Sequence, residues 1–313
     1  MESKKEQVSV IIPVLNRAEL IVRCLDSVKA QSYRPIEIVV ADNGSTDGTQ
    51  KAVDDWAREN CDDALTLKLV SESRRGADYA RNLGFEESSS QIIQFFDSDD
   101  ILSPGIISAY MEIYGESPET DLVYWKQEIQ YTDGPIRRLR FSEDNQWRYH
   151  IYHGLLCTTA YSLKREFVRK AGLWNEGLLQ WDDWEFGVRI LLCSPVIKAL
   201  PLTGVLKYHQ DDSITGTGFS DKVGKWELAI DAVEKDIRDS DHPESDRLRD
   251  MVNYRRAILA AHYSRENHPE FAGPLLDKAL AHPSLTAPRR LLLKLLYHYT
   301  ALGGRGASIF WRR

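Results

Sequence analysis

Gln91-Ile92-Ile93-Gln94-Phe95-Phe96-Asp97-Ser98-Asp99-Asp100 is a short, largely apolar run that ends in three carboxylates. A run of this length reads as a buried strand, so Asp97 and Asp99 stand where a sheet would hand its chain to a loop. In open α/β sheets ligands bind beyond the carboxyl ends of the strands. Two carboxylates one residue apart suit a hard divalent cation, which takes oxygen ligands and grips diphosphate oxygens as well. The same residues also suit a plain turn before a helix, with Ser103 as N-cap and Pro104 as its first residue.

Upstream the chain repeats one unit. Val8-Ser9-Val10-Ile11-Ile12-Pro13 is a β-branched run closed by proline, and such residues favour strands. Asn16 and Glu19 then have the spacing of a capping box, and Ala18, Ile21, Val22, Leu25 and Val28 recur on one helical face. A second strand is expected over Ile36 to Val40, leading to Asp42, with a helix from Thr49 to Glu59. A third strand over Leu65 to Val70 and a helix from Ala77 to Glu87 precede the strand that carries the acids. Alternation of this kind predicts a parallel sheet with right-handed crossovers and helices on both faces. Asp42 and Asp97 then share one rim. The turn after the first strand, Pro13-Val14-Leu15-Asn16-Arg17, contains no glycine, which argues against a dinucleotide fold; no glycine-framed Lys-Ser/Thr is present, so a P-loop is excluded.

Composition narrows the function classes. A formal net charge of -7 over 313 residues argues against a nucleic-acid binder, whose phosphate-neutralising face pushes the balance basic. Cys24, Cys61, Cys157 and Cys193 are scattered, without a C-x-x-C pair, and read as reduced thiols of a cytoplasmic protein. No apolar signal segment precedes Val8, and no apolar stretch long enough to span a bilayer is visible.

With these residues in order, the sequence resembles the family 2 glycosyltransferases. The opening strand ends Pro-x-x-Asn at Pro13 to Asn16, and Glu-Ile-x-Val-x-Asp-x-Gly-Ser-x-Asp-Gly-Thr is matched by Glu37 through Thr49. Gly-x-x-x-Ala-Arg-Asn is matched by Gly76 through Asn82, and Asp-Ser-Asp-Asp stands at Asp97 to Asp100. The resemblance implies an α/β GT-A fold, a mostly parallel central sheet flanked by helices. It implies that Pro13, Asn16, Asp42, Arg81, Asp97 and Ser98 contact a nucleotide-sugar, and that Asp99, with Asp97 and His209, holds Mn²⁺ or Mg²⁺. In Gln180-Trp181-Asp182-Asp183-Trp184 the family's base aligns with Asp183, while Asp182 stands where Glu is usual. The implied reaction is an inverting sugar transfer, from a UDP-sugar by default, to a glycan, lipid-linked or other hydroxyl in polysaccharide or glycoconjugate biosynthesis. Trp181 and Trp184 are candidate stacking faces for the acceptor, a role that core packing explains as well. Asp182 and Asp183 also suit a helix start, where acids favour the dipole.

Two other readings stay open: a nucleotide-sugar binder without turnover, and an Asp-x-Asp phosphatase. The phosphatase motif follows a first strand, and here it follows a fourth.

Downstream, Asp121 to Tyr152 reads as a mixed or antiparallel extension, Tyr161 to Ala171 and Trp184 to Leu192 as helices, and Val196 to Tyr208 as strand-rich. Asp211 to Gly224, with three glycines and no apolar period, reads as a mobile loop or lid. A catalytic domain over 1–224 and a helical extension over 225–313 are therefore expected. No acidic residue follows Asp277, while Arg289, Arg290, Lys294, Arg305, Arg312 and Arg313 alternate with leucines and aromatics. That basic tail suits peripheral contact with the inner face of a membrane, and suits as well a helix packed on the main domain with solvated arginines.

Overall fold

The computed structural model describes residues 6–130, 136–138, 144–208, 218–283 and 285–311. Its chain order begins β1 (Val8–Val14), α1 (Ala18–Lys29), β2 (Ile36–Asp42), α2 (Thr49–Asn60), β3 (Leu65–Ser71), α3 (Ala77–Glu87) and β4 (Ile92–Phe95). It continues with β5 (Ile101–Leu102), α4 (Ile106–Glu116), β6 (Leu122–Gln130), β7 (Arg137–Arg138), α5 (Gln146–His153), β8 (Tyr161–Lys164) and α6 (Arg165–Ala171). After α7 (Asp182–Leu192) and β9 (Ile197–Tyr208) come four helices, α8 (Lys225–Asp239), α9 (Ser245–Arg265), α10 (Pro269–Leu280) and α11 (Ala287–Ala301).

The strands form one mixed sheet in the order β3-β2-β1-β4-β8-β6-β9-β5, with β7 on β6. β3, β2, β1 and β4 are parallel; Val8 lies between Ile36 and Ile92 in register. Every residue of β1 is buried, as a strand covered on both faces requires. Its alternate residues Val8, Val10 and Ile12 share a core with Ile21, Leu25 and Val28 of α1 and with Val53 and Trp56 of α2. On the other face Ile11 meets α3 at Gly84, where an added Cβ would lie 2.5 Å from the isoleucine methyl. Only glycine permits that approach.

Three local expectations are corrected. Tyr161–Lys164 is a strand, not the first turn of a helix: it lies antiparallel between β4 and β6, which bury Tyr161, Ser162 and Leu163. Asn16 does not cap α1; it has a left-handed φ of 49°, and its Oδ1 accepts from Thr46 N–H instead. α4 starts at Ile106 behind Gly105, whose φ of 78° suits glycine, so Ser103 is not its N-cap.

The chain packs as two compact units. The first consists of the described residues within Met1–Glu143, Leu155–Gly177 and Cys193–Gln210, and contains the whole sheet. The second consists of those within Asp144–Gly154, Leu178–Leu192 and Asp211–Arg313, where Trp184, Trp226, Ile230, Val233, Leu248 and Leu259 form the core. Packing thus groups α5 and α7 with the C-terminal helices, whereas the sequence places them in a domain over 1–224. No helix among the described residues is long and apolar enough to cross a membrane.

Candidate functional site

The carboxyl ends of β1 and β2 are laced together by their loops. Asn16 N–H donates to Ser45 Oγ at 2.9 Å, Arg17 N–H to Thr49 Oγ1 at 2.9 Å, and Ala18 N–H to Asp47 Oδ2 at 3.1 Å. Asp42, fully buried at the end of β2, accepts from the N–H groups of Gly44 and Ser45 and from Gln50 Nε2 at 2.6 Å. Its carboxylate shapes the turn that follows it. Asn43 was not singled out from sequence, yet it ties the loop after β2 to the loop after β3: its Nδ2 donates to the Arg74 carbonyl at 2.6 Å, and its Oδ1 accepts from Gly76 N–H at 2.8 Å. Pro13 is buried in β1 beside Ala41.

The acids after β4 form the second portion of the rim. Asp97 is paired twice, with Arg81 at 3.3 Å and Lys207 at 3.5 Å, and Arg81 also holds Asp78 at 2.7 Å and lies over the Trp174 ring. Lys207 reaches Asp100 at 3.1 Å. Register explains this contact: Ile101 pairs antiparallel with Leu206, and extending that register by one residue sets Asp100 opposite Lys207. Burial acts to raise the Asp97 pKa, but Lys207 and Arg81 outweigh it and hold the group below its usual range. Burial and the nearby Asp97 push Asp99 up. Asp100 is pushed up to about 7 by burial, with Asp97 and Asp99 adding to it against the pull of Lys207. Burial alone would lower Lys207; Asp100 and Asp97 reverse the direction. Ser98 is buried between the acids, and the Asp99 carbonyl accepts from Arg23 at 3.1 Å.

These residues fit a hard divalent cation. Asp97 and Asp100 have ammonium or guanidinium partners, whereas among the described residues the Asp99 carboxylate has no ion pair. A crowded, desolvated carboxylate without a direct ion pair is a ligand whose charge a cation would relieve. No three His, Cys, Asp or Glu side chains gather to hold a metal among the described residues. Such a protein supplies one or two carboxylates and leaves the remaining positions to water and phosphate oxygens, as Mg²⁺ sites commonly do. His209 lies outside the described residues.

In the second unit Asp182 and Asp183 occupy the first turn of α7, after Trp181 with its left-handed φ of 54°. The Arg255 guanidinium, missed from sequence, stacks on Trp181 at 4.0 Å and on Trp184 at 4.3 Å, and donates to the Ile151 carbonyl at 2.6 Å. Burial lowers its pKa to about 10, and the charge of Asp183 opposes that fall. Trp184 is 2 % exposed, with its ring covered by Arg255 and Trp181, so core packing accounts for it; Trp181 is half-buried among Trp184, Phe219 and Trp226. The His150 ring packs here as well, its Nε2 2.9 Å from the Trp184 carbonyl.

Residues 9–172 match the family described as "Glycosyl transferase family 2". The chain is 25 % identical over 171 residues to glycosyltransferase GlyG of Streptococcus pneumoniae, covering 54 % of this chain and 52 % of that protein. It is 30 % identical over 106 residues to a GalNAc(5)-diNAcBac-PP-undecaprenol beta-1,3-glucosyltransferase of Campylobacter jejuni, 34 % of each. The matched region therefore spans about half the length of GlyG and a third of the Campylobacter protein. Among solved structures, S. aureus TarS 1-349 in complex with UDP-GlcNAc superposes with a TM-score of 0.72 at 18 % identity, covering 95 % of this chain and 87 % of that one. The mannosyltransferase PcManGT of Pyrobaculum calidifontis, in complex with GDP-Man and Mn²⁺, gives 0.58 at 23 % identity, covering 99 % and 84 %. At these identities the likeness establishes the GT-A fold.

Proposed function

Because the chain belongs to glycosyl transferase family 2, we propose that it moves a sugar from a nucleotide-sugar donor to an acceptor hydroxyl, with inversion and with the help of a divalent cation. The observation that carries this reading is the acidic rim: a carboxylate at the end of β2, three more after β4, and Asp99 with no ion pair among the described residues. A UDP-sugar is the donor we take first, supported by the UDP-GlcNAc in the TarS structure. A glycan or lipid-linked acceptor in polysaccharide or glycoconjugate assembly is supported by the undecaprenol-linked substrate in the Campylobacter relative's name.

Each group of residues has its own task. Pro13, Asn16 and Asp42 border the base and ribose, with the interlaced loops holding that wall rigid. Asp97 and Ser98 face the ribose side, and Arg81 and Lys207 fix Asp97 in place. Asp99, with Asp97 and His209, would hold Mn²⁺ or Mg²⁺, which would supply Lewis-acid stabilisation of the charge on the departing diphosphate. Asp183, beside Asp182, takes the acceptor proton as the hydroxyl oxygen attacks the anomeric carbon and the nucleoside diphosphate leaves from the opposite face. Trp181 is the aromatic we retain beside the acceptor. The functional division is a catalytic domain over 1–224 with a helical extension over 225–313, working in the cytoplasm.

Asp183→Asn tests the assignment. It is expected to keep nucleotide binding while lowering transfer by about 10²-fold or more, the scale of a lost general base. Transfer at the wild-type rate would remove Asp183 from that role.

A further inference from the structure

We propose that the outward face of α11, with the turn that follows it, is a docking surface for an anionic lipid bilayer. α11 has two apolar faces. One is buried: Leu293 and Leu296 pack with Tyr254, Ala257 and Ala279 of the helical unit. The other faces water. Leu291, Leu295, Tyr299 and Leu302 follow one another at spacings that form a single stripe along a helix, and they are 61 %, 58 %, 45 % and 90 % exposed. Ile309 and Phe310 extend the exposed apolar surface beyond the helix. Nearly half of the large apolar side chains left exposed among the described residues fall between Leu291 and Phe310. Contiguous exposure on this scale marks a contact surface.

Charge decides the occupant. Arg290, Lys294 and His298 share the exposed side of α11, Arg305 follows, and the sequence has no Asp or Glu after Asp277. Among the described residues Arg290 donates to the carbonyls of Leu280 and Leu285, and Lys294 and Arg305 have no ion pair. A second copy meeting this face would set cations against cations. An anionic bilayer satisfies both components together, its phosphates taking the cations and its acyl boundary taking the leucines. With 15 residues, α11 has the length of a helix lying in the interface rather than crossing it. The inference stands apart from the transfer chemistry.

The test is sedimentation of the full chain with vesicles of phosphatidylglycerol and phosphatidylcholine in equal parts, compared with phosphatidylcholine alone. Binding is expected to the anionic vesicles and to weaken about tenfold or more as salt rises to about 0.5 M. Leu291→Glu with Leu295→Glu is expected to weaken it about tenfold or more while the thermal unfolding transition is kept. Lys294→Glu, at an exposed position, is expected to lower it several-fold and serves as the reading should the double variant fail to fold. Wild-type protein left in the supernatant at low salt would overturn the proposal, as would variants that bind like the wild type. So would a wild-type dimer that the double variant makes monomeric, which would assign the face to a second copy.

Discussion

Lys207 brings one ammonium to two carboxylates, Asp100 at 3.1 Å and Asp97 at 3.5 Å, inside a rim that burial makes costly for charge. Lys207→Met would leave both acids without that partner. Breaking one side of a buried ion pair costs on the order of 3 kcal/mol, so urea unfolding at pH 7.5 should show a loss of that size; an unchanged midpoint would mean that the cluster does not depend on Lys207. The acids themselves were legible in the sequence, because an apolar run that stops at Asp-x-Asp declares both a strand and its end. Lys207 was not. Its role depends on β9 returning beside β5, and one charged residue in a strand-rich stretch carries no sign of its partner. Arg255 and Asn43 were hidden for the same reason: each joins segments distant in sequence, through ring faces in one case and backbone amides in the other.

α5 and α7 are joined by His150, which is fully buried with Nε2 2.9 Å from the Trp184 carbonyl. Burial pulls its pKa from 6.5 down to about 4, so the ring is neutral near pH 7 and Nε2–H donates. The folded value is depressed, so the unfolded chain takes up the proton first as pH falls. The stability owed to neutral His150 is therefore complete above about pH 6.5 and is lost progressively toward pH 4, on the order of 3 kcal/mol in all. His150→Gln keeps a donor and removes the titration; between pH 7 and pH 5 it should lose about 2 kcal/mol less than the wild type in urea unfolding. Parallel pH profiles would contradict this. At the same scale the parallel β-α repeats were legible because strand and helix periods alternate over long segments. The four-residue β8 was not, since β4 and β6 make it a strand by burying it between them.

At the scale of the whole chain, the sheet unit carries the acids at the ends of β2 and β4, the helical unit carries Asp182 and Asp183, and the helical unit ends in a cationic, partly apolar stretch on a chain whose formal net charge is -7. The basic tail was visible in composition, but only the structure divides its leucines into a buried face and an outward one. The fold class follows from the order of motifs, whereas the grouping of α5 and α7 with the C-terminal helices depends on aromatic packing around Trp181, Trp184 and Trp226 that no local pattern encodes. The rim after β4 is proposed to hold a cation and, through it, a diphosphate. Calorimetric titration of UDP into wild-type protein and Asp99→Asn, each with and without Mn²⁺, tests it most directly. Mn²⁺ is expected to tighten UDP binding to the wild type by about tenfold or more, and Asp99→Asn to erase this gain while leaving the metal-free binding in place. Binding of UDP with Mn²⁺ to Asp99→Asn as tightly as to the wild type would contradict it.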